Sequence, residues 1–380
     1  VTSFILFIVV IFFRNIIADV FLKNRDYAYL VYITSISTLV GATNSIVSAP
    51  TRMQNQRKRY IAMHVLSPLL SYSISVPLLL KGYYIIALPL AGMIAAFSCE
   101  MIFAGMNRKW FSAKLFKAEH LKPLLTIGIP LFPNFLIYWL FNSCDRLMIT
   151  NILGASANGI YAAGSKLGMA SQLIYTAFSG GWQYFAFSTM KEKKQVESNS
   201  LVFEYLGIIS FSCTLFVFAF SEPIYTLLFT GNYREGYIVS PYLFLAPLLQ
   251  MLFQIIGNQF LVIKKTWPSM FILLAGAVMN VFLNLLFIPR IGIEGAAIAT
   301  LFGYMISDFI CVIVLKKLNL IVISKRFCFS VCILAVFIII WRTVLIHHTF
   351  ITFGVSLIIS IIYMLLYKKD LYIFMRNMKK

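Results

Sequence analysis

Residues 268–315 read PSMFILLAGAVMNVFLNLLFIPRIGIEGAAIATLFGYMISDFICVIVL. Two apolar runs, 268–289 and 294–315, flank the short turn Arg290-Ile291-Gly292. At 1.5 Å of rise per residue, each run makes a helix of about 33 Å, enough to cross the roughly 30 Å hydrocarbon core of a bilayer. The runs are continuously apolar rather than alternating, which excludes the strands of a transmembrane β-barrel. The same pattern fills the rest of the chain. Twelve spans are legible in the 380 residues: 1–22, 28–49, 61–80, 84–106, 124–144, 158–188, 202–221, 237–263, 268–289, 294–315, 327–346 and 350–367. Only 12% of the residues are charged and 60% are hydrophobic, whereas a soluble domain carries about 25% charge. A water-facing surface of ordinary size cannot be built from this composition. Soluble-enzyme, nucleic-acid-binding and disordered classes are excluded, leaving an all-α polytopic membrane protein.

The net charge of +19 has a topological explanation. Of the 32 Lys and Arg, 23 fall in one set of alternating connections: around Arg52–Arg59, Arg108–Lys122, Lys191–Lys194, Lys264–Lys265, Lys316–Arg326 and the tail from Lys368. The opposite set holds seven. This alternation places the Arg52 loop and the C-terminal tail in the cytoplasm by the positive-inside rule. Anionic lipid accounts for the excess base, and no nucleic acid is needed. Val1 lies in an apolar run without a charged n-region or a small-residue cleavage site, so the start does not read as a signal peptide. The segment Asn107 to Lys122 reads as a basic amphipathic stretch on the cytoplasmic face, with Trp110, Phe111, Leu115 and Phe116 towards lipid.

Few motifs carry chemistry. The six cysteines sit in apolar stretches with no Cys-x-x-Cys pair, and read as packing residues rather than metal ligands or disulfides. His347 and His348 read as a solvated turn. No P-loop or sugar-nucleotide motif is present, and no cofactor is expected. The informative residues are charges within spans, because each costs roughly 2.5–3.5 kcal/mol at a helix centre on insertion scales. They are Arg14, Glu100, Lys166, Glu204 and Asp308, with Asp19, Asp145, Arg146 and Glu294 nearer span ends. Glu204 is expected at a solvated interface. Lys166 and Arg14 either face a hydrated cavity suited to a phosphate group or tie helices together, Arg14 through Asp19. Glu100 and Asp308 could serve as proton or cation sites. A weak repeat, Lys81-Gly82-Tyr83 against Arg290-Ile291-Gly292, each followed by a small-residue helix, points to two lobes of the kind found in secondary transporters.

Two stretches resemble a known family. Ile127 to Gly168, IGIPLFPNFLIYWLFNSCDRLMITNILGASANGIYAAGSKLG, is similar to the seventh and eighth helices of polysaccharide-exporter flippases, including the O-antigen (Wzx-type) flippases. There a Pro-containing helix ends in Asp-Arg, followed by a Leu-Gly turn and a Gly-x-Tyr-x-x-x-x-Lys-Leu helix. The matching positions are Asp145-Arg146, Leu153-Gly154, Gly159, Tyr161 and Lys166-Leu167. Asn280 to Thr300 is similar to the family's Leu-Asn, Ile-Pro and Gly-x-x-Gly-Ala-Ala-x-Ala-Thr run. These motifs are shared with lipid II flippases and multidrug exporters.

The resemblance implies two inverted-V helical lobes of the MATE and lipid II flippase type, with twelve helices present of a fourteen-helix design. Residues 1–123 would form the N-terminal lobe lacking its first two helices. Residues 124–318 would form the six-helix C-terminal lobe, and 319–380 two further helices with a basic tail. The implied protein is a transporter and not an enzyme. It would move undecaprenyl-pyrophosphate-linked oligosaccharide repeat units of O-antigen, capsule or exopolysaccharide across the bacterial cytoplasmic membrane by ion-coupled alternating access. Lys166 and Arg146 match the family helices that carry bases for the pyrophosphate, and Arg14 joins them on depth alone. Asp145, Asp308 and Glu100 are the candidates for ion coupling. Membrane lipids, and the polymerase and chain-length regulator of the same pathway, are the further expected partners. The rival readings are a multidrug cation antiporter on the same fold, which would need carboxylates at the cavity centre, and a polytopic surface-polysaccharide polymerase.

Overall fold

The structure is a computed structural model describing residues 2–22, 24–54, 56–111, 119, 121–189, 194–263, 265, 267–368 and 370. Within them the regular secondary structure is helical. Leu115, Phe116 and half of the expected interfacial stretch, together with most of the basic tail, lie outside the described residues. Among the described residues, nine helices have the length and composition to cross a membrane, or ten when a bent pair counts as one span. The two other expected spans, 124–144 and 158–188, correspond to a helix over Leu121–Leu153 and to the broken pair Ala155–Gly164 and Lys166–Ser188. The chain is an all-α, multi-pass membrane protein. It divides into two compact units, Val1–Ile129 and Pro130–Lys380.

The first unit holds α1 (Thr2–Phe12), α2 (Arg14–Ile17), α3 (Ala28–Met53), α4 (Arg57–Leu80) and α5 (Ala87–Met106). The span expected at 1–22 is not one rod: it bends by 75° between Phe12 and Arg14 and continues as a π turn over Ala18–Leu22. Phe13, with ψ of 13°, sits outside the helical region at that point. Ile61, Val65, Leu69, Tyr72 and Val76 are all exposed on α4 and recur at helical spacing, making a lipid-facing stripe. At the other end of the polarity scale, Asn107 after α5 donates to the Val47 carbonyl and the Thr51 hydroxyl, both at 2.8 Å, tying α5 to α3.

In the second unit run α6 (Leu121–Leu153, which begins before the unit boundary), α7 (Ala155–Gly164), α8 (Lys166–Ser188), α9 (Gln195–Leu228), α10 (Ser240–Gly257), α11 (Gln259–Val262), α12 (Trp267–Ile291), α13 (Ile293–Lys317), α14 (Lys325–Ile340) and α15 (Thr349–Leu366). α10 is buried along nearly its whole length and forms the centre of this unit. α12 and α13 cross through small residues. A Cβ on Gly276 would lie 2.5 Å from the Gly303 carbonyl oxygen, and one on Gly303 would lie 2.9 Å from the Asn280 Cβ. Glycine at these positions permits the close backbone approach that holds helices together in lipid.

Two expectations are corrected here. Asp145 and Arg146 do not end their helix, because α6 continues to Leu153 and only Gly154, with φ of +95°, turns the chain into α7. The run LMITNIL has no helix breaker, so the ladder persists until a residue can adopt the left-handed conformation. Glu204 does not sit at a solvated interface. It is 2% exposed and accepts hydrogen bonds from the Ser324 N–H (2.6 Å), the Ser324 hydroxyl (2.7 Å) and the Tyr367 hydroxyl (3.1 Å). Arg326 adds a longer ion pair at 3.7 Å. Beyond the opposite end of α14, Glu294 on α13 accepts from Arg342 Nε at 2.6 Å and from the Tyr242 hydroxyl at 3.1 Å. Two buried carboxylates therefore fasten the final helical hairpin to the rest of its unit, one beside each end of α14.

Candidate functional site

The second unit contains a cavity of about 290 Å³ bounded by α6, α7, α8, α10 and α13. Its polar wall consists of Asn142, Asp145 and Arg146 from α6, Tyr161 from α7, Ser165 between α7 and α8, Gln172 from α8, Gln250 from α10, and Thr300 and Tyr304 from α13. Local sequence explains how these residues reach one place. Gly154 folds α7 back beside α6, and the Asn158 side-chain amide donates to the Thr150 hydroxyl at 2.8 Å across that turn. The α7–α8 helix then breaks at Ser165. The hydroxyl of buried Tyr225 is placed between the Ala163 and Gly164 carbonyls, at 2.9 and 2.8 Å, and satisfies acceptors at the break.

Asp145 is 4% exposed, a costly place for a carboxylate in a membrane. Its Oδ2 accepts the Tyr161 hydroxyl, and its Oδ1 accepts the Arg146 backbone N–H at 2.7 Å. Thr300 on α13 lines the same cavity and lies near Tyr161. Asn280 donates to Thr300 at 3.1 Å, and Asn284 donates to Asn280 at 3.3 Å. Two hydrogen-bonded groups, Asn284–Asn280–Thr300 and Tyr161–Asp145, therefore stand side by side. Asn284 Oδ1 is buried without a hydrogen-bond partner among the described residues. The site thus joins a carboxylate to amide and hydroxyl oxygens, the donor set that holds a proton or a hard cation.

The expected site residues fall in different places. Asp145 and Arg146 share the cavity, where the Arg146 guanidinium donates to the Ser165 hydroxyl at 3.0 Å. Lys166 is the first residue of α8, exposed and next to Ser165, but it does not line the cavity. The break at Ser165 makes Lys166 the start of a new helix rather than an interior residue of one span over 158–188. Arg14 belongs to the first unit, with its guanidinium 4.9 Å from the Tyr32 ring centroid. That is cation–π range. The Asp19 expected as its partner pairs instead with Arg25 at 3.2 Å. Glu100, also in the first unit, is half-buried, and its Oε2 is enclosed without a partner among the described residues. Asp308 lies one turn along α13 from Tyr304. No group of three or more His, Cys, Asp or Glu arranged to hold a metal occurs among the described residues.

Sequence reasoning missed the cavity roles of Gln172, Gln250, Thr300 and Tyr304, and the hydrogen bonds from Asn284 to Asn280 and from Asn280 to Thr300. A signal for them existed. Asn280 and Asn284, and Thr300 and Tyr304, are polar pairs four apart in otherwise apolar helices, so each pair shares one helical face.

The comparisons with known proteins agree with this architecture. The structure of lipid II flippase MurJ in an inward closed conformation superposes with a TM-score of 0.73 at 16% identity, covering 97% of this chain and 82% of that one. An inward-facing multidrug resistance MATE family transporter of the MOP superfamily gives a TM-score of 0.67 at 13% identity, over 84% of this chain and 79% of the other. These likenesses show the fold. An uncharacterized membrane protein of Methanocaldococcus jannaschii, MJ1375, is 23% identical over 281 residues, which is 70% of this chain. The chain spans 65% of the length of that relative. Residues 1–237 match the family described as Polysaccharide biosynthesis protein. That match covers more than half of the chain, and the chain belongs to this polysaccharide biosynthesis protein family.

Proposed function

We propose that the protein is a flippase for undecaprenyl-pyrophosphate-linked oligosaccharide repeat units, working by ion-coupled alternating access in the bacterial cytoplasmic membrane. The observation that carries this reading is the buried Asp145 carboxylate, hydrogen-bonded by Tyr161 and set in a cavity wall that also holds Arg146 and Thr300. Membership of the polysaccharide biosynthesis family and the fold shared with a solved lipid II flippase support a lipid-linked glycan as cargo. In this account Asp145 binds and releases the coupling cation, a proton or a metal ion. Arg146, Lys166 and Arg14 attract the pyrophosphate, since guanidinium and ammonium groups pair well with phosphate oxygens. The transporting lobes are residues 1–123 and 124–318, with 319–380 attached to the second. The tail faces the cytoplasm, and the polymerase and chain-length regulator of the pathway act on the delivered units.

A cation antiporter is the second reading, favoured by the same Asp145 at the cavity wall. The two are separated by a deletion strain. A flippase defect leaves lipid-linked repeat units on the cytoplasmic leaflet with no polymerised glycan at the surface. An antiporter defect leaves the glycan intact and raises drug sensitivity.

A further inference from the structure

Asp308 takes no part in the hydrogen bonds around Asp145 and Thr300, yet it lies on the same side of α13 as Thr300. Thr300, Tyr304 and Asp308 recur every fourth residue and occupy one helical face. The first two line the cavity. Tyr304 is buried and stacks on Phe141 with ring centroids 4.2 Å apart, and both Asp145 and Asp308 lie near it.

The surroundings of Asp308 are unsuited to a charge. Oδ1 is enclosed and has no hydrogen-bond partner among the described residues. The titratable groups facing it are Tyr304 and Cys311, both neutral, and no basic side chain among the described residues acts on it. The residue stands nine positions before Lys317 and fifteen after Ile293, well inside a membrane-crossing helix. An ionised carboxylate there would pay desolvation with no counter-charge in return. A carboxylic acid would not.

We propose that Asp308 is a second proton-binding site in the transport unit, loaded as the neutral carboxylic acid and serving the Asp145 cavity through the Tyr304 face. Loading is protonation alone: one carboxylate and one proton give one acid, with no further reactant. The part it plays in the cycle rests on the ion-coupled reading above, whereas the proton it holds does not.

Infrared difference spectroscopy of the full chain in lipid vesicles at neutral pH tests this directly. Wild type minus Asp308→Asn should contain the carbonyl band of a protonated carboxylic acid. The variant should keep the wild-type melting temperature, because a neutral amide replaces a neutral acid of the same shape. Asp308→Glu should retain an acid band at a shifted position, which reads the same site if the Asn variant fails to accumulate. A difference spectrum showing loss of carboxylate bands would overturn the proposal. If Asp145→Asn transports normally while the Asp308 acid band stands, the coupling role of Asp145 fails and the Asp308 site survives.

Discussion

The Tyr161 hydroxyl on α7 donates to the Asp145 carboxylate on α6, across a fold-back made by the single residue Gly154. This bond joins two helices and positions the one acid in the cavity wall. Asp145→Asn keeps an oxygen for Tyr161 and removes the charge. It is expected to accumulate and melt like wild type while losing ion-coupled transport. Tyr161→Phe removes one hydrogen bond to a charged group, worth about 1.5–3 kcal/mol, and transport is expected to fall at least tenfold at normal protein level. Membrane abundance and transport measured together check both outcomes. A fully active Asp145→Asn protein would exclude Asp145 from coupling.

Lys166 and Arg146 distinguish attraction of the cargo from structural support. Charge-assisted contact with phosphate is worth about 1.5–3 kcal/mol. Lys166→Ala is therefore expected to reduce surface glycan strongly at unchanged abundance, Lys166→Arg to retain most of it, and Lys166→Glu to abolish it. The exposure of Lys166 at the start of α8 favours unchanged abundance. Arg146→Ala breaks the bond to Ser165 and is expected to lower melting temperature as well as transport. Quantified surface glycan alongside immunoblots separates the two cases, and wild-type glycan from Lys166→Ala would remove that residue from the cargo path.

The Glu204 clamp yields a stability prediction. Glu204→Ala strands the Ser324 N–H, the Ser324 hydroxyl and the Tyr367 hydroxyl without their acceptor, at a cost of about 3 kcal/mol. Glu204→Gln leaves oxygen on one arm of the side chain and should cost about 1 kcal/mol. The check is thermal unfolding in detergent, with protease nicking between α13 and α14 reporting release of the hairpin. Equal melting temperatures for wild type and Glu204→Ala would show that the hairpin is held by its apolar face alone.

The charge alternation gives a topology prediction. Reporter fusions after Lys368 and within Arg52–Arg59 are expected on the cytoplasmic side, and a fusion within Glu222–Gly236 on the opposite side. Finding the Lys368 and Glu222 fusions on one side would invalidate the orientation.

The helical membrane fold was legible because it depends on local composition: runs such as 268–289 are too long and too apolar for any other solution. The candidate site was legible only in part. Asp145, Arg146 and Tyr161 stood in one recognisable stretch, and Asn280, Asn284 and Thr300 in another, but the approach of Thr300 to Tyr161 depends on the tertiary packing of α7, α12 and α13. No local pattern reports it. Asp145-Arg146 read as the end of a helix because charge usually marks a span end, whereas here a buried hydrogen-bond network accommodates it. Glu204 misled for a related reason: its partners Ser324 and Tyr367 lie 120 and 163 residues away. The position of Lys166 was hidden by the break at Ser165, which no proline announces.

A leaflet assay on purified protein in vesicles follows translocation itself. A lipid-pyrophosphate-linked oligosaccharide carrying a fluorophore on its glycan is placed in both leaflets, and a membrane-impermeant quencher reads the outward-facing fraction over time. Wild-type protein is expected to speed exchange between leaflets well above that of protein-free vesicles, with an imposed ion gradient setting its direction and Asp145→Asn abolishing the gradient effect. Exchange no faster than in protein-free vesicles, from folded wild-type protein, would contradict the flippase account.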